Sequence, residues 1–110
     1  MEGSNTRTFP RMLLDRPVEV QIGSDTIRLE NPTNNLSVGG LFLRGAGLPV
    51  GTPVRVRIAE PHLFEADGRI CESDSHEQGL GIGFNPLSVV NRQALNDLIE
   101  DLTLRGLPAA

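Results

Sequence analysis

Val18-Glu19-Val20-Gln21-Ile22, Gly23-Ser24-Asp25 and Thr26-Ile27-Arg28-Leu29 read in succession as strand, turn and strand. Val18, Val20 and Ile22 alternate with Glu19 and Gln21, and Ile27 and Leu29 alternate with Arg28 and Glu30. A period of two puts aliphatic side chains on one face and polar ones on the other, the pattern of a half-buried hairpin. The same period returns downstream. Val54, Val56 and Ile58 alternate with Arg55 and Arg57. Phe64, Ala66, Gly68 and Ile70 alternate with Glu65, Asp67, Arg69 and Cys71, and Leu80, Ile82 and Phe84 alternate with Gly79, Gly81 and Gly83. A further strand is expected over residues 36–44. Gly39-Gly40 in its middle marks a bulge or a place where something approaches the backbone closely. Leu48-Pro49-Val50-Gly51 is a turn, and residues 72–78 are polar and turn-like. Upstream, Pro10 and Pro17 exclude a regular helix over residues 7–16, which read as extended or turning.

The period changes after Pro86. Ser88 is placed to cap a helix, although Asn91 at the box position is weaker than Glu or Gln. Leu95, Leu98, Ile99 and Leu102 recur at i, i+3, i+4 and i+7 as one apolar stripe, and Gly106 and Pro108 end it. The pattern is all-β with one C-terminal helix: a six-stranded antiparallel small β-barrel with the helix packed on it.

The chain has 110 residues, enough for one domain with its own core and too few for two. Hydrophobic residues make up 38% and charged residues 22%, which excludes disorder throughout. No apolar run approaches the roughly 20 residues of a membrane helix, and the first ten residues lack a signal-peptide core, so a cytoplasmic protein is expected. A single cysteine, Cys71, excludes an internal disulfide and a cysteine-based zinc site. The net charge of −4 argues against a broad basic field for nucleic-acid polymers. With no Trp or Tyr and four Phe, an aromatic platform for single strands is poorly supplied. All ten basic residues are Arg. Compositional bias explains that, and so does planar, bidentate recognition of phosphates and purine edges; composition does not choose between them.

The residues do not compose an active site. His62 and His76 lack metal-ligand spacing and read as turn residues, and Cys71 has no histidine near it in sequence. Gly79-x-Gly81-x-Gly83 sits inside a strand pattern with no helix opening at its last glycine, so it is not a dinucleotide fingerprint. It leaves one strand face without side chains, for close packing of the helix or for a ligand. Two other clusters carry more. Arg7 and Arg11 form an Arg-x-x-x-Arg just before the first strand, and Asn35, Ser37 and Gly40 form an Asn-x-Ser-x-x-Gly beside the paired glycines. Asn35-Leu36-Ser37 also fits a glycosylation acceptor, but nothing else points to secretion. Guanidinium groups take phosphate oxygens and the O6/N7 edge of guanine. Asn35 and Ser37, two apart on a strand, share a face, and a glycine at 40 lets a ligand come near the main chain. Together they read as one anion and purine site.

These motifs resemble the PilZ domain, the bacterial receptor domain for cyclic di-GMP. The resemblance rests on Arg7-Thr8-Phe9-Pro10-Arg11 and Asn35-Leu36-Ser37-Val38-Gly39-Gly40, with support from the Leu48-Pro49-Val50-Gly51-Thr52-Pro53 turn, the residue 79–84 strand and the closing helix. It implies a flexible tail over 1–6 and a single domain over 7–105, comprising a ligand-binding loop (7–16), a barrel (17–84) and a helix (88–104), then a short tail over 106–110. It also implies that Arg7 and Arg11 grip phosphates and guanine edges while Asn35, Ser37 and Gly40 line the guanine pocket. Thr6 stands where many members carry another Arg linked to a stacked ligand pair, which tilts toward one ligand per domain. The implied function is a stand-alone, non-enzymatic cyclic di-GMP receptor with no cofactor and no metal, signalling to an unidentified effector protein. The alternative is a ligand-independent interaction module in a motility or polarity complex. On the receptor reading, residues 1–16 stay mobile until ligand orders them.

Overall fold

The structure, a computed structural model, describes residues 11–45, 47–74 and 79–105. Among the described residues, eight strands precede one helix: β1 (Met12–Leu13), β2 (Val18–Ile22), β3 (Asp25–Leu29), β4 (Asn35–Ser37), β5 (Gly40–Arg44), β6 (Pro53–Ile58), β7 (Phe64–Asp74), β8 (Gly79–Phe84) and α1 (Val89–Leu104). All eight belong to one antiparallel sheet in the order β1-β4-β5-β8-β7-β6-β2-β3, curled into a half-barrel. The alternation foreseen in the sequence decides which face turns inward. Val18, Val20, Val54, Val56, Ile58, Phe64, Ala66, Ile70, Leu80 and Ile82 are all buried. Helix α1 closes the core against β7 and β1 with Ala94, Leu95, Leu98 and Leu102. Ser88 caps it, its side chain accepting the Asn91 N–H at 3.1 Å. The β2–β3 turn puts Gly23 at φ +61°, a conformation that suits the twist of a two-residue hairpin.

The structure departs from the sequence reading in three places, and the first two raise the strand number from six to eight among the described residues. Residues 36–44 are not one bulged strand: the chain reverses at Val38-Gly39, and Ser37 pairs directly with Gly40. A straight strand would send Leu36 and Leu41, five residues apart, to opposite faces. The tight turn resets the phase, and both leucines are buried. Residues 12–14 already belong to the fold: Met12 pairs with Leu36, Leu13 with Asn35, and Leu14 is buried in the core. In this part the segment expected to stay mobile until ligand orders it carries a short strand and a core residue. Finally, β7 runs on to Asp74, because an irregularity between Ile70 and Glu72 carries the ladder beyond its first break. The expected tails, Arg7, His76 and the helix stop at Gly106 and Pro108 lie outside the described residues.

Two polar clusters hold the ends of this sheet. Asn34 is fully buried at the entrance to β4. Its carbonyl accepts the Leu14 N–H at 2.8 Å and its Oδ1 accepts the Arg44 N–H at 2.8 Å. Arg16 meets Asp15 and Asp101, each at 2.7 Å, and donates to the Glu60 carbonyl at 3.0 Å. Arg105 reaches Asp15 at 3.2 Å and Asp101 at 3.4 Å. The segment after β1 is thereby pinned to the last turns of α1.

Both clusters are testable by unfolding. Asn34→Ala leaves the half-buried Arg44 N–H without this acceptor, and urea denaturation should show a loss of about 1–3 kcal/mol. The Arg16 hydrogen bond, aided by Arg105, holds the Asp101 carboxyl below the usual carboxylate range, although desolvation opposes it. Burial lowers the Arg16 pKa, but hydrogen bonds to Asp101 and Asp15 outweigh it, so Arg16 stays charged at any working pH. A depressed carboxylate contributes stability above its unfolded pKa of about 3.9 and loses it as pH falls through the folded value. Thermal melts should show the wild type losing more stability than Asp101→Asn on going from pH 5 to below pH 3.

Candidate functional site

The residues singled out in the sequence are positioned by β1, β4 and β5. Arg11 immediately precedes β1, and antiparallel pairing of Leu13 with Asn35 swings it alongside β4. Its Nη1 donates to Asn35 Oδ1 at 3.1 Å, so two groups 24 positions apart meet in the folded chain. Ser37 shares the face of Asn35, and its Oγ accepts the Gly39 N–H at 3.3 Å. Asn35 Nδ2, the Ser37 hydroxyl proton and the remaining Arg11 N–H groups form a donor-rich surface suited to phosphate oxygens and purine acceptors.

Gly40 has a structural duty of its own. It pairs with Ser37 on one side and Gly83 on the other, and a Cβ there would overlap the Ile82 carbonyl oxygen. Its missing side chain lets β5 and β8 close together. The glycines of β8 are likewise accounted for by neighbours other than the helix. The Phe42 ring lies where a Cβ of Gly79 would project, the Glu72 side chain occupies that space at Gly81, and Cys71 Sγ is 3.9 Å from it at Gly83. The helix packs on the opposite, aliphatic face, which corrects the helix-packing expectation for these glycines.

Phe42, Arg44 and Asn34 were not singled out in the sequence. Phe42 is the direct cross-strand partner of Asn35, and the Arg44 guanidinium carbon lies 5.1 Å from its ring centroid. The signal for Phe42 was its spacing of two from Gly40, legible only once the Val38-Gly39 turn is recognised. Several other arginines serve the surface. Arg55 pairs with Asp67 at 3.0 Å, Arg57 pairs with Glu65 at 3.2 Å, and Arg69 donates to the Gly51 carbonyl at 3.2 Å. His62 is exposed, 4.0 Å from Asp97, and Cys71 is exposed. No cluster of three or more metal-ligating side chains occurs among the described residues.

Residues 5–101 match the PilZ domain family. The chain belongs to that family. Solved PilZ structures share its fold at low identity. The PilZ domain of CeSA from a cellulose-synthesizing bacterium has a TM-score of 0.67 at 20% identity, covering 84% of this chain and 97% of that one. The PilZ domain of Escherichia coli YcgR, solved with cyclic di-GMP, has a TM-score of 0.66 at 19% identity, covering 92% and 94%. The Bacillus subtilis inhibitor of motility MotI has a TM-score of 0.62 at 21% identity, covering 91% of this chain and 52% of that one. No curated protein matches the sequence. No helix among the described residues is long and apolar enough to cross a membrane.

Gly40 and Ser37 should separate under mutation. Gly40→Ala forces β5 and β8 apart and should cost about 1–3 kcal/mol in urea denaturation, with or without ligand. Ser37→Ala removes one long hydrogen bond near the surface and should stay within about 0.5 kcal/mol of wild type.

Proposed function

We propose that this PilZ domain is a receptor for cyclic di-GMP, bound between the N-terminal arginines and strands β4 and β5, and that it signals by presenting an altered surface to another protein. The Arg11–Asn35 hydrogen bond is the observation that carries the reading, because it joins the two family motifs into one donor-rich site. The YcgR structures solved with cyclic di-GMP on the same fold support it. This chain spans 47% of one of those YcgR chains, so whatever the remainder of YcgR contributes is not carried over.

Each residue has a chemical role in this proposal. Arg7 and Arg11 take phosphate oxygens and the O6/N7 edge of guanine in forked, charge-assisted hydrogen bonds. Asn35 and Ser37 bond the polar edge of one guanine, and Gly40 keeps the strand close to it. Thr6 favours one ligand per domain over a stacked pair. The role requires binding and no bond-making chemistry, and cyclic di-GMP is a ligand, not a cofactor. The cytoplasmic location expected from the sequence is part of the same proposal.

Calorimetric titration with cyclic di-GMP, with GTP and cyclic GMP as controls, tests the reading. Charge-assisted contacts of about 1.5–3 kcal/mol each support micromolar affinity, about −8.2 kcal/mol, after ordering costs. Arg11→Ala and Arg7→Ala should each weaken binding at least about tenfold, equivalent to 1.4 kcal/mol, with little change in the thermal midpoint. Arg11→Lys should fail similarly, since an ammonium lacks the planar fork. A wild-type chain that binds no cyclic di-GMP leaves the ligand-independent interaction module as the function.

A further inference from the structure

We propose that Phe42, Arg44 and Glu72 form a second guanine subsite, which takes the base not held by Asn35 and Ser37; this rests on the receptor reading above. The sheet register places the three beside the first site. Asn35 pairs with Phe42, Phe42 with Gly81, and Gly81 with Glu72, so one row crosses β4, β5, β8 and β7 on a single face. With strands about 4.8 Å apart, the row from Asn35 to Glu72 runs on the order of 14 Å. One guanine held at Asn35 does not span it.

The groups along this row have the chemistry of a base site. The Phe42 ring is seated where Gly79 has no side chain, and Arg44 stacks over it at 5.1 Å. A guanidinium lying on an aromatic ring presents a flat cation that stacks against a purine. Stacking tolerates any base, so discrimination has to come from an edge contact. Glu72 supplies one: its carboxylate lies next to Gly81, where a Cβ would meet Oε1 at 3.0 Å. An ionised carboxylate only accepts hydrogen bonds, and guanine offers N1–H and N2–H donors on one edge where adenine has none at the matching positions. Simple alternation from Ile70 would send Glu72 to the core face. The irregularity between Ile70 and Glu72 delivers it to the outer face instead.

Calorimetry on the full chain, using cyclic di-GMP and the mixed guanine–adenine cyclic dinucleotide, tests the subsite. The wild type should bind cyclic di-GMP about tenfold or more tighter than the mixed ligand, and Glu72→Ala should reduce that preference to about threefold or less. Arg44→Lys keeps the charge and loses the flat face, and Phe42→Leu loses the ring. Each should weaken both ligands by about tenfold while the other variant guards against a folding defect in either one. Wild-type binding of cyclic di-GMP that is unchanged in all three variants, or equal affinity of the wild type for both ligands, overturns the subsite alone. A wild type that binds neither ligand overturns the receptor reading, and the subsite with it.

Discussion

Buried Asn34, through its backbone and its side chain together, gathers the strands that carry Asn35, Ser37, Gly40 and Phe42 and the segment that follows Arg11, although none of the candidate contacts is its own. Its carbonyl holds Leu14 and its Oδ1 holds the backbone of Arg44, so it ties the end of β1, the start of β4 and the end of β5 at one point. Arg11 precedes the first of these strands, Asn35 and Ser37 lie on the second, and Gly40 and Phe42 lie on the third. Each of these strands is short, and β1 has two residues. Strands so short have few ladder hydrogen bonds to fix them, and a buried polar anchor supplies what the ladder lacks. The anchor is one-sided: Oδ1 is satisfied by Arg44, while Nδ2 is buried with no hydrogen-bond partner among the described residues.

The sheet divides its labour by face. Its inner face is a continuous apolar layer closed by α1, where a change of volume is felt as instability. On its outer face, β8 carries glycines, the flanking β5 and β7 set Phe42, Arg44 and Glu72 over or beside them, and β4 adds Asn35 and Ser37 one strand further out. A period of two lets these faces serve different ends, since a side chain on one does not pack against a side chain on the other. The arginines divide in the same way. Those on β6 are neutralised across strands by carboxylates, and Arg16 ties the segment after β1 to the C-terminal end of α1 through Asp101. Arg11 bonds a neutral carboxamide instead, which leaves its charge available to an anion.

The positions of β2, β3, β6 and β8, the helix, its Ser88 cap and most of the core were determined by the sequence alone, because alternation and helical spacing are local properties that burial then enforces. The PilZ motifs were also legible as short patterns at Arg7, Arg11, Asn35, Ser37 and Gly40. Tertiary structure decided the rest. Whether Gly39-Gly40 bulged a strand or reversed it depended on Leu36 and Leu41 both needing the core, a condition that exists only once the sheet has curled. That Met12–Leu13 is a strand depended on a partner 24 residues away, and two residues carry no period. Asn34 reads as one more polar loop residue until its burial is known. Glu72 changed faces through an irregularity with no signature in composition. Long-range pairing, unlike periodicity, is a property of two segments together, and neither segment records it alone.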